Sequence, residues 1–135
     1  MPKRRDVLKL AGLGPFAFLP ATAAPLMNKA VGAKEAKLTK EAFGDLLIYF
    51  EGATGQIQSM TAGSLRLKAG MEPHPPHQHA EEEFLLVTEG TGEISLEGKV
   101  NQVGPGSMVY CAGNRIHGVK NTGKNPMLFY FYKWK

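Results

Sequence analysis

Short apolar runs separated by glycine-rich turns follow one another along the chain from residue 46 to its end. In several of them apolar and polar residues alternate, as where Leu65 and Leu67 flank Arg66, which is typical of strands with one buried face. A series of short strands without a substantial helix between them predicts an all-β fold, an antiparallel sandwich or barrel. The candidate strands are LLIYFE (46–51), GQIQSMTA (55–62), SLRLKA (64–69), HQH (77–79), FLLVT (84–88), GEISLE (92–97), SMVYC (107–111), HGVKN (117–121) and MLFYFYKW (127–134).

Residues 24–45 precede this strand-rich part and have a different character. Alanine, lysine and glutamate, which favour helix, are common there. Thr39 is a candidate helix cap and Gly44 a candidate stop. We therefore expect a linker that contains one short helical or extended piece, followed by the domain over residues 46–135.

The first 23 residues have the three regions of an export signal. A basic start leads into an apolar run over residues 10–19, which is too short to span about 30 Å of hydrocarbon, and ATA (21–23) is a cleavage pattern. The segment RRDVLK (4–9) resembles the twin-arginine signal, which predicts a periplasmic or otherwise exported protein. Once the signal is removed, no stable membrane insertion is expected. The alternative is a basic amphipathic helix that lies on the domain.

Length, cysteine content and charge narrow the classes of function. A chain of 135 residues suits one compact domain. Its single cysteine, Cys111, excludes an intramolecular disulfide framework and a multi-cysteine metal site. Much of the net charge of +4 comes from residues 1–23, and the remainder carries 12 basic and 11 acidic residues. Because phosphate binding needs a clustered basic face, we do not expect nucleic acid as a partner.

Histidines and a carboxylate in two distant segments form the candidate chemistry. His77 and His79 are two residues apart, so on a strand both side chains would leave the same face. Glu83 follows after a bend that can return the next strand beside the first. His117 follows a turn-rich segment and begins a predicted strand that can face the same interior. Imidazoles with one carboxylate suit Mn, Fe, Co, Ni, Cu or Zn, and leave positions of an octahedral ion open.

These segments resemble the two sequence motifs of the cupins. A glycine, HxH, a glutamate and a second glycine at set intervals make up the first motif. His77 and His79 match it, followed by Glu83 after three residues and Gly90 after six more. Gly70 departs from it, since six residues separate this glycine from His77 where the motif has five.

The second cupin motif combines a glycine, PxG, a histidine and an asparagine. Gly106, His117 and Asn121 match its spacing, whereas Ala112 stands in place of the motif proline and Asn114 in place of the motif glycine. Asparagine tolerates a left-handed backbone better than most residues, so we expect the turn at Asn114 to be retained.

The resemblance covers residues 46–134 and implies a small jelly-roll β-barrel with a metal ion in its mouth. It also implies the ligand set, which is His77, His79, Glu83 and His117. We expect one divalent transition-metal ion, with Fe or Mn favoured over Zn, Ni, Co or Cu. The preference follows from the export signal, because a protein that folds before export can close around an ion that binds more weakly than copper or zinc.

Other polar and aromatic residues near these motifs receive simpler interpretations. His74 precedes a proline and is expected to be exposed. Glu81 and Glu82 suit a solvated acidic turn, although either would serve as a proton carrier if it pointed inward. We expect Cys111 to be a small buried residue and Tyr110 to belong to the core.

Two classes of function remain after these steps. The first is an exported metal-dependent enzyme of oxygenase, lyase or isomerase type that acts on a small-molecule substrate, and the second is a module that binds a metal or small ligand without turnover. Open coordination positions favour the enzyme. No residue can be assigned a catalytic role from the sequence. Aromatic residues on both faces of the last predicted strand suggest a homodimer.

Overall fold

The computed structural model describes residues 24–135, and this part of the chain is built from β-strands. The segment 1–23, where the export signal is predicted, lies outside the described residues. Within residues 24–135 no helix has the length and apolar character needed to cross a membrane. The strands are β1 (Lys37–Glu41), β2 (Gly44–Gly52), β3 (Met60–Leu67), β4 (Glu82–Glu89), β5 (Gly92–Leu96), β6 (Lys99–Val103), β7 (Met108–Cys111), β8 (His117–Lys120) and β9 (Met127–Trp134).

These strands form two antiparallel sheets. The larger sheet has the order β1-β2-β3-β9-β4-β7, and the smaller has the order β6-β5-β8. The last strand, β9, lies between β3 and β4, so strands that are distant in sequence become neighbours. The prediction of an all-β antiparallel fold is confirmed, and the arrangement is consistent with a jelly-roll barrel.

The hydrophobic core gathers the inward residues at alternate positions of the strands. Leu85 and Val87 on β4 and Phe129 on β9 are no more than 4% exposed. Burial of each such side chain contributes roughly 1.5–3 kcal/mol, so the period-two pattern supplies the core of the domain. The buried core consists of Leu65, Leu67, Leu85, Val87, Ile94, Val103, Cys111, Val119, Met127 and Phe129.

The prediction of a short helix within residues 24–45 is wrong, and the segment contains an extended strand instead. Lys37–Glu41 forms β1 and pairs with β2, with Leu38 opposite Leu47. Helix propensity is a weak local preference. Hydrogen bonding to β2 and packing of Phe43 against the core outweigh it here.

Two other strand predictions need correction. The runs 55–62 and 64–69 contribute to a single strand, β3, which passes through Gly63 without a turn. A Cβ at this position would lie 2.5 Å from the carbonyl oxygen of Leu47, so the glycine permits close approach of β2. The segment Lys99–Val103 forms β6, although its weak alternation of apolar residues did not predict a strand.

Candidate metal centre

An isolated β-bridge joins the two predicted motifs. HQH (77–79) is not a strand, contrary to the prediction; His77 instead makes an isolated antiparallel bridge to His117 at the start of β8. The N–H of each residue donates to the carbonyl oxygen of the other, at 2.9 and 2.8 Å. Pro75 and Pro76 precede the bridge and cannot donate backbone hydrogen bonds, which helps to explain why the pairing does not extend further along the chain.

A second backbone contact links the loop before β8 to the first motif. The N–H of Asn114 donates to the carbonyl oxygen of His79 at 2.7 Å. Asn114 has a φ of 58°, so the left-handed turn expected at this substituted glycine position is confirmed. The turn therefore directs the backbone N–H of Asn114 to the carbonyl oxygen of His79, the second histidine of the HxH pair.

The imidazoles of His77, His79 and His117, here called the histidine cluster, converge on one point. One ring nitrogen of each lies within 4.8 Å of those of the other two. The ring centroids are between 4.8 and 5.1 Å apart, and the rings stand roughly perpendicular to one another. Converging imidazoles are a donor set that suits a transition-metal ion. The residues present therefore fit the metal that the sequence motifs imply.

Backbone carbonyls fix the proton position on two rings of the cluster. The Nδ1 atom of His79 lies 3.0 Å from the carbonyl oxygen of Glu81, and that of His117 lies 3.1 Å from the carbonyl oxygen of Arg115. A carbonyl oxygen can only accept, so in the hydrogen-bonded form each Nδ1 carries the proton. The Nε2 lone pair is then free to bind a metal, and this second layer of contacts orients each ring.

Glu83 stands beside this cluster on the inward face of β4. Its Oε1 atom lies 3.4 Å from Nε2 of His79 and 3.4 Å from Nε2 of His117. The side chain is 13% exposed, so its charge is largely removed from bulk water. The carboxylate therefore contacts two of the three imidazoles of the cluster, and its role as a metal ligand stays a prediction.

The imidazoles of the cluster differ in their affinity for protons. The pKa of His77 is lowered to about 4, first by burial and then by the neighbouring imidazoles. The pKa of His117 is raised, first by its hydrogen bond to Glu83, although burial acts in the opposite direction. Because a metal binds only neutral imidazole, His77 is available over a wide pH range, whereas His117 must first lose a proton.

A cavity of about 210 Å³ opens beside the histidine cluster. This volume is below the range of about 300–1,000 Å³ that holds drug-sized ligands, so the cavity suits a small molecule. Besides the histidines, Glu83 and Lys133 are the described lining residues with an ionisable side chain. The apolar side chains that line it are Phe43, Leu46, Leu65, Pro73, Leu85, Val119, Phe129 and Phe131.

The residues near the motifs have mixed outcomes. His74 is exposed, as expected, and it also lines the cavity, with its ring centroid 3.8 Å from that of His77. Cys111 is 2% exposed, which confirms its burial, and burial raises the pKa of its thiol to about 12. The core position expected for Tyr110 is wrong: this side chain is 47% exposed, and its hydroxyl donates to Glu82 at 2.9 Å. Strand alternation allows only one of Tyr110 and Cys111 to face inward, and the smaller side chain does so.

Two residues with clear roles in this region had no role assigned from the sequence. Lys133 lines the cavity from β9, and the signal for it was the alternation that also turns Phe129 and Phe131 inward. Asn121 was matched only as a motif position, yet it is fully buried and holds three backbone groups. Its amide donates to the carbonyl oxygens of Leu67 and Asn125, and its side-chain oxygen accepts from the N–H of Gly123.

Comparison with known families and structures agrees with this architecture. The model for the "Cupin domain" family matches residues 63–132. KdgF from Halomonas sp. superposes with a TM-score of 0.67 at 17% identity, over 81% of this chain and 96% of that one. The polyketide cyclase RemF from Streptomyces resistomycificus gives 0.65 at 19% identity, over 80% of each chain.

A third similar structure is a protein from Thermotoga maritima described as a predicted oxalate decarboxylase. Its TM-score is 0.61 at 16% identity, over 78% of this chain and 98% of that one. No curated protein matches the sequence. Identities this low establish a shared fold, while the chemistry of this chain has to be argued from its own residues.

Proposed function

Because this chain belongs to the cupin domain family, we propose that its histidine cluster and Glu83 bind one divalent transition-metal ion and that the protein is a metal-dependent enzyme acting on a small molecule. The observation that carries the proposal is the convergence of three ring nitrogens within 4.8 Å of one another. The adjoining cavity of about 210 Å³ supports it, since a substrate there would touch the metal ligands. When bound, the ion would supply Lewis-acid or redox chemistry, as an oxygenase, lyase or isomerase needs.

The protein's own side chains have definable tasks in such a site. The carbonyls of Glu81 and Arg115 hold His79 and His117 with Nε2 toward the cluster, so the donors are oriented before metal binds. The apolar walls exclude water and strengthen electrostatic interactions inside the cavity. Of the described residues that line the cavity, Glu83 alone has a carboxylate, so it is the oxygen donor available to complete the ligand set of the three imidazoles.

A metal- or ligand-binding module without turnover is the alternative. The cavity favours the enzyme, because a site that only stores or fixes a metal is usually closed by protein ligands. The fold itself does not discriminate between the two, since one fold supports many functions. Two of the similar structures carry enzyme descriptions, a polyketide cyclase and a predicted oxalate decarboxylase, and those descriptions apply to those proteins.

We also propose that the chain is exported by the twin-arginine route, from the RRDVLK segment at residues 4–9. Folding before export supports Fe or Mn as the resident ion, since Cu and Zn bind such donor sets more tightly in open competition. Replacing Arg4 and Arg5 with lysine should retain folded, metal-bound precursor in the cytoplasm. Undiminished export of that variant would contradict the route.

A homodimer is proposed from the outer face of the larger sheet. Phe84, Tyr110 and Tyr132 are each at least 37% exposed there. The Phe84 ring packs against Tyr110, with centroids 5.3 Å apart, and stacks on Trp134 at 5.6 Å. Such an exposed aromatic patch is typical of a surface that another protein covers, and a second copy of the chain is the partner proposed.

Metal content is the decisive measurement for the proposed centre. The full chain, purified and analysed by elemental mass spectrometry, should hold about one transition metal per molecule. The double variant His77→Ala/His79→Ala should lose it, because at most one imidazole and one carboxylate remain. His74→Ala is the matched control, since this histidine touches the cluster but makes no part of it, and it should retain the metal.

The same samples distinguish the enzyme from the binding module. Oxygen consumption and product formation should be followed with thiols, diketones, flavonoids and small acids in the presence of the wild-type protein. Turnover that the double variant lacks and the His74→Ala variant keeps would support the enzyme. Full metal retention by the double variant would refute the site, and a metal-loaded protein without any turnover would favour the module.

A further inference from the structure

A lysine occupies an inward position on the last strand of the barrel. Along β9 the side chains of Phe129 and Phe131 line the cavity, and Lys133 is the next residue on the same face. The intervening aromatic residues, such as Tyr132, point to the outer surface, where Tyr132 is 45% exposed. The alternation therefore places the side chain of Lys133 on the wall of a cavity whose other walls are mainly apolar.

The register of the larger sheet places this lysine beside the candidate metal centre. In the pairing of β4 with β9, Lys133 lies directly opposite Glu83, and both residues line the same cavity.

The charge of Lys133 has no close carboxylate partner in the described part of the chain. No ion pair within 4.0 Å is formed there by its ammonium. Glu83, although opposite in register, directs its Oε1 atom toward His79 and His117 at 3.4 Å. Because Lys133 is half-buried, lines the cavity and has no carboxylate partner there, its ammonium is available to a ligand that brings an anionic group.

The arginines of residues 24–135 are engaged elsewhere. Arg66 pairs with Glu89 at 3.1 Å, and Arg115 pairs with Glu97 at 3.2 Å. Neither arginine lines the cavity. Lys133 is thus the side chain of this cavity that is suited to bind a negatively charged group.

We infer that Lys133 binds the carboxylate of the substrate, and that the site takes a small monocarboxylate with an apolar body. The carboxylate would meet the ammonium, while the apolar body lies against Phe43, Phe129 and Phe131. The inference rests on the proposed function, because it assigns the substrate class of the same cavity. Lys133 is a binding and specificity residue in this assignment.

Phenylacetate and phenylacetamide form a matched pair of probes, because they have nearly the same shape and differ in charge. Their dissociation constants should be measured with the full chain by chemical-shift titration of 15N-labelled protein, both loaded with diamagnetic Zn²⁺ and after metal removal. Phenylacetate should bind the wild type more tightly, with shifts at cavity residues. Lys133→Gln should weaken phenylacetate binding about 10- to 100-fold, the range for a lost hydrogen bond to a charged group, and leave phenylacetamide unchanged.

Lys99→Gln is the control for net charge, since Lys99 is exposed on β6 and does not line the cavity. It should leave both dissociation constants unchanged. Absence of any preference for phenylacetate in the wild type would overturn the inference, as would a preference that Lys133→Gln retains.

Metal content of the same samples separates this inference from the proposed metal centre. Protein that holds no metal yet prefers phenylacetate through Lys133 would refute the metal centre alone. Protein that holds metal without that preference would refute the role of Lys133 alone.

Discussion

Asn121 is expected to be the polar side chain on which the stability of the barrel depends most. Its amide group donates to the carbonyl oxygens of Leu67, at the end of β3, and of Asn125, at 3.0 and 2.9 Å. Its side-chain oxygen accepts from the N–H of Gly123 at 2.9 Å. The side chain is 0% exposed, so water cannot replace these partners without opening the structure. The hydrogen bonds of Asn121 therefore connect the loop after β8 to the larger sheet.

The magnitude of an Asn121→Ala substitution follows from these contacts. Each of the hydrogen bonds is worth about 1 kcal/mol net, and a buried partner left without one costs about 1–3 kcal/mol. We expect the free energy of unfolding to fall by about 3–4 kcal/mol, a large part of the 5–15 kcal/mol typical of a domain. Asn121→Leu nearly preserves volume and removes the polar groups, so it should be destabilised about as much.

Equilibrium urea denaturation of the metal-free full chain measures this effect, with fluorescence and circular dichroism as separate probes. Asn125→Ala is the matched control, because Asn125 is exposed and contributes its backbone carbonyl to the network. It should change the free energy of unfolding by less than about 0.5 kcal/mol. An Asn121→Ala variant as stable as this control would refute the reasoning, and an Asn121→Leu variant with full stability would show that only volume matters.

The remaining predictions concern the turn, the pH response and the proposed dimer. Asn114 has a φ of 58°, so Asn114→Gly should be neutral or stabilising and Asn114→Val destabilising by about 1 kcal/mol or more in urea denaturation; equal stabilities would contradict the turn's role. The pKa of His117 is raised and that of His77 is lowered to about 4, so metal occupancy, followed by elemental analysis after dialysis, should fall as pH drops through the pKa of His117 and before His77 is protonated. In the metal-free protein the raised pKa of His117 adds to the free energy of unfolding. This contribution is complete below about pH 6.5 and disappears as the pH rises through the raised pKa. The Glu83→Gln variant should lack this pH dependence, and an unchanged pH profile of unfolding in that variant would argue against the pairing of His117 with Glu83. If the proposed dimer forms through the exposed aromatic face, the wild type should be a dimer and Tyr132→Lys a monomer in light scattering with size-exclusion chromatography; a Tyr132→Lys variant that is still a dimer would exclude that face as the interface.

Much of the architecture could be predicted from the chain alone, because it follows from short-range patterns. A period of two in apolar residues requires strands with one buried face, and Leu65 and Leu67 against Arg66 behave as this rule expects. The turn at Asn114 was also predictable, since few residues other than glycine and asparagine adopt its backbone conformation readily. The spacing of His77, His79 and His117 likewise identified the residues that converge in the structure.

Other features depended on contacts between residues far apart in sequence. The helix-favouring segment Lys37–Glu41 became β1, because pairing with β2 satisfies its backbone groups and outweighs local propensity. The HQH segment became a single bridge, since its geometry is determined by His117, forty residues further along the chain. The spacing of the histidines along the sequence did not predict whether a strand or an isolated bridge would bring their imidazole rings together.

Charge placement shows the same division between sequence and tertiary structure. The alternation of inward and outward residues along β9 can be read from the sequence, and it places Lys133 on the same face as Phe129 and Phe131. Whether that face is a filled core or an open cavity depends on the strands that pack around it. The tertiary structure decided that Lys133 meets Glu83 across the β4–β9 pairing, while β4 directs that carboxylate to the histidines. The chain thus determines the residue types and the strand faces by local chemistry. The fold determines which ionisable side chains line one cavity, because that depends on the pairing of distant strands.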